Sequence, residues 1–126
     1  MPYRNVLLID DDDDDQEIFF TALNQVAASV IFSAISNAGE ALQKLKDKEI
    51  TPDVIFLDLN MPIMNGQQFL IEIKKNVELA NIPVIVFSTT SHLATIELTR
   101  ELGAHDFITK PDKFDDLIAI FKSVFA

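Results

Sequence analysis

Six consecutive aspartates, Asp10 to Asp15, follow directly on an apolar run, Val6-Leu7-Leu8-Ile9. A lone Asp58 follows a second run, Val54-Ile55-Phe56-Leu57. Ser88 ends a third, and Lys110 follows a shorter one, Phe107-Ile108-Thr109. If the fold gathers these ends, the carboxylates repel one another by about 4 kcal/mol per pair, at roughly 4 Å and an effective dielectric near 20. Either a carboxylate is protonated or a cation is bound. Ligands that are all oxygen favour Mg²⁺, Mn²⁺ or Ca²⁺ over softer metals. Mg²⁺ commonly takes one or two carboxylates, keeps waters and leaves room for phosphate oxygens. A divalent cation site does not need Lys110, whose charge makes sense if a further anion arrives. Metal, ammonium and the Ser88 hydroxyl would together surround a phosphoryl group. A carboxylate can act as the nucleophile and form an acyl phosphate. Asp58, alone after its run, is the candidate.

The elements that would position these residues alternate along the chain. Val6 to Ile9, Val30 to Ile35, Val54 to Leu57, Pro83 to Phe87 and Phe107 to Thr109 read as strands. Between and after them, Asp15 to Ala27, the segment from Asn37, Gln67 to Val77, Ser91 to Leu102 and Asp112 to Phe125 carry apolar residues at helical spacing. Asn37 with Glu40 reads as a helix start, Ser91 as a cap, and Gly103 as a left-handed helix end. Strands apolar on both faces, each followed by a helix, imply a parallel sheet covered on both sides. Such sheets bind ligands beyond the carboxyl ends of their strands. Asp10 and Asp11, Asp58, Ser88 and Lys110 stand at four of those five ends, and strand two ends without a comparable group.

Length and composition agree with one domain over residues 1–126. Apolar residues make up 48%, with ten Phe, enough for a real core. No run is long enough to span a membrane, and Met1 to Asn5 does not read as a secretory signal. No cysteine is present, which excludes disulfides and thiolate metal sites. A cytoplasmic location is expected. The net charge of −10, without a cluster of Lys and Arg, argues against direct nucleic-acid binding.

Four motifs in order, Ile9-Asp10-Asp11, Leu57-Asp58-Leu59-Asn60-Met61-Pro62, Val86-Phe87-Ser88-Thr89 and Thr109-Lys110-Pro111, resemble the response-regulator receiver family. The match spans essentially the whole chain. It implies a flavodoxin-like (βα)5 fold with strand order 2-1-3-4-5 and a two-component phosphorelay role. It implies that Asp58 accepts a phosphoryl group from a histidine kinase or a histidine phosphotransfer protein. Asp11 and Asp58 would ligate Mg²⁺, Asp10 would help through water, and the Asn60 backbone carbonyl would complete the protein ligands. Lys110 would pair with the phosphoryl group, Ser88 would be the hydroxyl switch, and Phe107 the aromatic switch. The Lys110–Pro111 bond would be cis. Output would go to a partner protein, or to a second copy, through the fourth helix, fifth strand and fifth helix. The family pattern is departed from where Asp12 to Asp15 extend the charge and where Thr89 replaces a common small residue.

Other classes fit less well. A haloacid-dehalogenase-like phosphohydrolase would need its Asp-x-Asp pair after strand one and a cap domain, whereas Asn60 stands where the second acid would be. A flavodoxin-type nucleotide binder needs hydroxyl or glycine donors after strand one, where six Asp would repel phosphate. A degenerate receiver without phosphorylation conflicts with the complete set of site residues. Asp13 to Asp15 read as solvated, with Asp14 complementing a helix dipole. His92 and His105 read as exposed, without a metal or phosphate role.

Overall fold

The structure, a computed structural model, describes residues 3–125. The outermost residues, on which part of the Met1 to Asn5 reading falls, lie outside that range. In chain order the elements are β1 (Asn5–Ile9), α1 (Asp13–Val26), β2 (Ile31–Ile35), α2 (Ala38–Lys46) and β3 (Val54–Leu57). They continue with α3 (Gly66–Lys75), β4 (Val84–Ser88), α4 (Leu93–Glu101), β5 (Asp106–Thr109) and α5 (Phe114–Val124). The sheet runs β2-β1-β3-β4-β5, every neighbouring pair parallel. This is the flavodoxin-like order. β3 lies at the centre and all four of its residues are buried.

Side chains alternate across each strand, and the two faces pack differently. Leu7, Ile9, Ile55, Leu57 and Val84 meet α2 and α3 through Leu42, Leu45, Phe69 and Ile73. Val6, Leu8, Phe56, Ile85 and Phe87 meet α1 and α5 through Phe19, Leu23, Leu117 and Phe121. The second face is an aromatic cluster. Phe19 lies edge-on to Phe56 and Phe121, with centroids 5.0 and 4.7 Å away. Such pairs add about 0.5–1.5 kcal/mol beyond their buried area. They seat α1 against β3 and α5, and so place the helix start that carries Asp13 to Asp15.

Helix boundaries differ from the sequence reading in instructive ways. α1 starts at Asp13 because Asp12 caps it, its side chain accepting the Asp15 N–H at 3.1 Å. Asn37 and Asn65 cap α2 and α3, and Asn65 forms a reciprocal capping box with Gln68. Ser91 does not cap α4. The Thr90 hydroxyl takes the His92 N–H in a turn, and helical bonding starts only from the His92 carbonyl. Gly103, at φ 105°, ends that helix as expected. Every peptide bond among the described residues is trans, Lys110–Pro111 included. That corrects the cis expectation, which rested on family pattern; an X–Pro amide by itself prefers trans by about 0.5–1 kcal/mol.

Candidate functional site

The carboxyl ends of β1, β3, β4 and β5 converge on one edge of the sheet. Asp10 and Asp58 each follow a buried strand, and the backbone sets them side by side. Asp58 N–H donates to the Ile9 carbonyl, and Asp10 N–H to the Ile35 carbonyl. By alternation they continue the rows of Leu8 and Phe56, which pair across the sheet. Both therefore lie on the α1 and α5 side. Lys110, two residues beyond Ile108, lies on that side too, its ammonium 5.7 Å from the Phe87 ring centroid. Its backbone N–H is held by the Ser88 carbonyl at 2.7 Å. Ser88 continues the row of Val84 and so faces the opposite side. It pairs with Thr109, and Val86 pairs with Phe107, so Phe107 shares the Ser88 face on the adjoining strand.

Asp10, Asp11 and Asp58 each present a carboxylate oxygen, and these lie within 4.8 Å of one another. Asp10 is fully buried, Asp58 nearly so, and Asp11 is exposed. The Asp58 carboxyl is pushed up from 3.8 to about 6. Burial is the main cause; the Lys110 charge opposes it, and the Asp10 charge adds to it. The Asp10 carboxyl is also raised by burial, against its hydrogen bond from Lys110. The site thus concentrates acid beyond what one ammonium neutralises. Three oxygen donors at this spacing, with one open to solvent, suit a hard divalent cation. The Asn60 N–H lies 3.4 Å from Asp58 Oδ1, which places the Asn60 backbone at the rim.

The backbone around Asp58 is held by close packing. A Cβ on Gly66 would meet the Asp58 carbonyl oxygen at 2.5 Å and the Leu59 Cα at 2.7 Å. The start of α3 can therefore lie against the β3 end only with glycine at this position. The sequence signalled Gly66 merely as part of a turn. Ile63, in the same loop, takes φ 67° while fully exposed, a conformation that is costly for a β-branched residue.

Several residues join the site that the sequence reading left out. Lys110 Nζ donates to Asp10 Oδ2 and to Asp15 Oδ2, both at 2.9 Å, while Asp58 Oδ2 is 3.8 Å away. Asp15 is thus an ion-pair partner as well as a partly solvated acid; helical geometry turns it toward Lys110, unlike the exposed Asp13 and Asp14. Gln16 donates to the Asp10 carbonyl at 2.6 Å and to the Ser36 hydroxyl at 3.1 Å. Strand two therefore does deliver a polar group to this edge. Nothing in a run of six identical letters distinguishes Asp15 from its neighbours. His92 and His105 are exposed, as expected.

The family model of the response regulator receiver domain matches residues 6–122. The chain belongs to this family. Two-component response regulator ORR8 of Oryza sativa subsp. indica is 34% identical over 120 residues, spanning 95% of this receiver and 97% of that protein. A protein-glutamate methylesterase/protein-glutamine glutaminase of Syntrophomonas wolfei is 34% identical over 113 residues, 88% of the receiver. The receiver spans only 31% of that protein's length. Among solved structures, the phosphorylated cyanobacterial phytochrome response regulator RcpA superposes with a TM-score of 0.88 at 28% identity, covering 97% of the receiver and 91% of that chain. The Mn(2+)-bound form of response regulator Rcp1 gives 0.84 at 26%, covering 96% and 91%. Receiver domains of this kind interact with histidine kinases and output proteins. Among the described residues, no helix is long and apolar enough to cross a membrane.

Proposed function

We propose that this chain, as a single receiver domain over residues 1–126, is a stand-alone phosphorylation switch. It accepts a phosphoryl group on Asp58 from a histidine kinase or histidine phosphotransfer protein and signals to a partner protein. The observation that carries this reading is one sheet edge holding three converging carboxylates with the Lys110 ammonium 3.8 Å from the lone acid of the central strand. A response regulator from rice is matched over 97% of its own length, while in the Syntrophomonas methylesterase relative the receiver is 31% of a longer protein; the size of the full-length protein purified from its source tests the stand-alone role.

Asp11, Asp58 and the Asn60 carbonyl would hold Mg²⁺, with Asp10 acting through water. When bound, Mg²⁺ supplies the positive charge that lets phosphoryl oxygens approach the acids. Asp58, with its carboxyl near 6, is largely ionised at neutral pH and can attack phosphorus. One Asp58 oxygen forms the new P–O bond. The donor's P–N bond breaks, and its electron pair stays on the imidazole nitrogen. Lys110 is close enough to pair with the transferred oxygens, and Ser88 supplies a hydroxyl donor from the next strand end. Transfer is thus mainly positioning and charge stabilisation. Ser88 and Phe107, on one face of adjacent strands, would relay the change to α4, β5 and α5, where an output protein or a second copy docks. The protein acts without nucleic acid or membrane and in the cytoplasm.

Acetyl phosphate with Mg²⁺ should add one phosphoryl group, read by intact mass. Asp58→Asn should abolish the adduct. Equal labelling of the two proteins would remove Asp58 as the acceptor.

A further inference from the structure

Lys110 is shared between two acids, and only one of them belongs to the sheet edge. Asp10 is the strand-end partner; Asp15 comes from the first turn of α1. Both bonds are 2.9 Å, so two of the three ammonium hydrogens are engaged away from Asp58. The backbone of Asp15 is fixed from both sides. Asp12 caps its N–H, and the side chain of the next residue, Gln16, ties α1 to the Asp10 carbonyl and Ser36. Among the described residues, neither Asp13 nor Asp14 makes an ion pair.

The two acids differ in what they lose if Lys110 leaves. The Asp10 side chain is 0% exposed and would be stranded without its partner, whereas Asp15 is 37% exposed and can be hydrated. Stranding a buried charge is strongly unfavourable, while parting an exposed pair costs little. A phosphoryl group on Asp58 adds charge and acceptor oxygens close to Lys110. Asp15 is therefore the contact that can be given up, and a contact present in only one of two states biases the equilibrium between them.

We propose that Asp15 is a positioning residue for Lys110, holding the ammonium toward α1 in the unphosphorylated protein and releasing it when a phosphoryl group is on Asp58. This rests on the phosphoacceptor reading above. Beryllofluoride, which mimics the phosphoryl group, provides the test at saturating Mg²⁺. Asp15→Asn should bind it about two- to fivefold more tightly than wild type, the scale of one partly exposed ion pair. Asp15→Glu should return toward wild type. Asp14→Asn, which removes the same charge from the exposed side of the helix, should show a smaller change. Independently of any phosphoryl mimic, the Lys110 ammonium resonance in ¹H–¹⁵N spectra should shift in Asp15→Asn and stay in place in Asp14→Asn. Equal affinity changes in the two Asn variants would reduce the effect to net charge and overturn the proposal, as would an unmoved Lys110 resonance in Asp15→Asn. A wild type that fails to bind beryllofluoride would overturn the phosphoacceptor reading and the release step with it; the resonance alone would then report on the Asp15 contact.

Discussion

Lys110 Nζ stands 3.8 Å from Asp58 Oδ2, beyond hydrogen-bond range but within reach of an oxygen carried on Asp58. At that separation the ammonium does not offset the burial of Asp58, and the carboxyl rises to about 6.

Stability should respond to this with a definite sign. The folded state holds the Asp58 proton up to about pH 6, the unfolded chain only to about 3.8. Between those values the folded state binds more protons, so metal-free protein loses stability as pH rises through that window. Asp10, also raised, acts in the same direction. A fall in melting temperature of roughly 6–12 °C from pH 4.5 to 7 is expected, about 2 kcal/mol, with a smaller fall in Asp58→Asn and in wild type with Mg²⁺. Mg²⁺ affinity should itself weaken below about pH 6, where a proton competes for Asp58. A thermal series in which Asp58→Asn matches metal-free wild type would contradict the assignment.

The acidic block should divide by position. Asp11→Asn removes one of the three converging oxygens and should abolish measurable Mg²⁺ binding. Asp14→Ala should keep most of it and lose only about 0.3–1 kcal/mol of stability, from the helix dipole. Mg²⁺ titration followed by NMR separates the two; comparable losses would make the whole block the metal site.

Gly66→Ala should be disproportionately harmful for a single methyl. Its Cβ would sit 2.5 Å from the Asp58 carbonyl oxygen, so either α3 or the β3 end must move. A loss of about 1–3 kcal/mol is expected, together with slower phosphorylation, because the displaced backbone carries Asp58. Urea denaturation checks the first part and intact-mass labelling the second. Wild-type behaviour in both would mean that the α3 start yields easily.

Ser88→Ala should still be labelled on Asp58 but transmit poorly. Ser88 is fully buried, and Phe107 shares its face beside a cleft of about 120 Å³ between α4 and β5, lined by Ile96, Thr99 and Arg100. That cleft gives the Phe107 ring somewhere to move once the hydroxyl shifts. Beryllofluoride should shift amide resonances from Ser91 to Phe121 in wild type and only those near Asp58 in Ser88→Ala. Shifts confined to the Asp58 loop in wild type would rule this route out.

The parallel sheet and the convergence of Asp10, Asp11, Asp58, Ser88 and Lys110 were legible because they follow from rules of period and connection, whereas the strand order was implied only by the resemblance to the receiver family. Apolar runs separated by amphipathic segments make a parallel sheet, and the residue after each strand must fall on one edge. The caps Asn37 and Gly103 were legible too, since each satisfies a local backbone requirement. What the letters alone determined was therefore which edge carries chemistry and which residue types stand there. Only the tertiary structure decided how that chemistry is held. The inward turn of Asp15 depends on α1 starting at Asp13 and on the Phe19 cluster that seats the helix. The need for glycine at position 66 depends on how closely α3 approaches β3. The rise of Asp58 to about 6 depends on burial and on a lysine 52 residues further along the chain. Each is a matter of distance between segments remote in sequence, and such distances are set by packing.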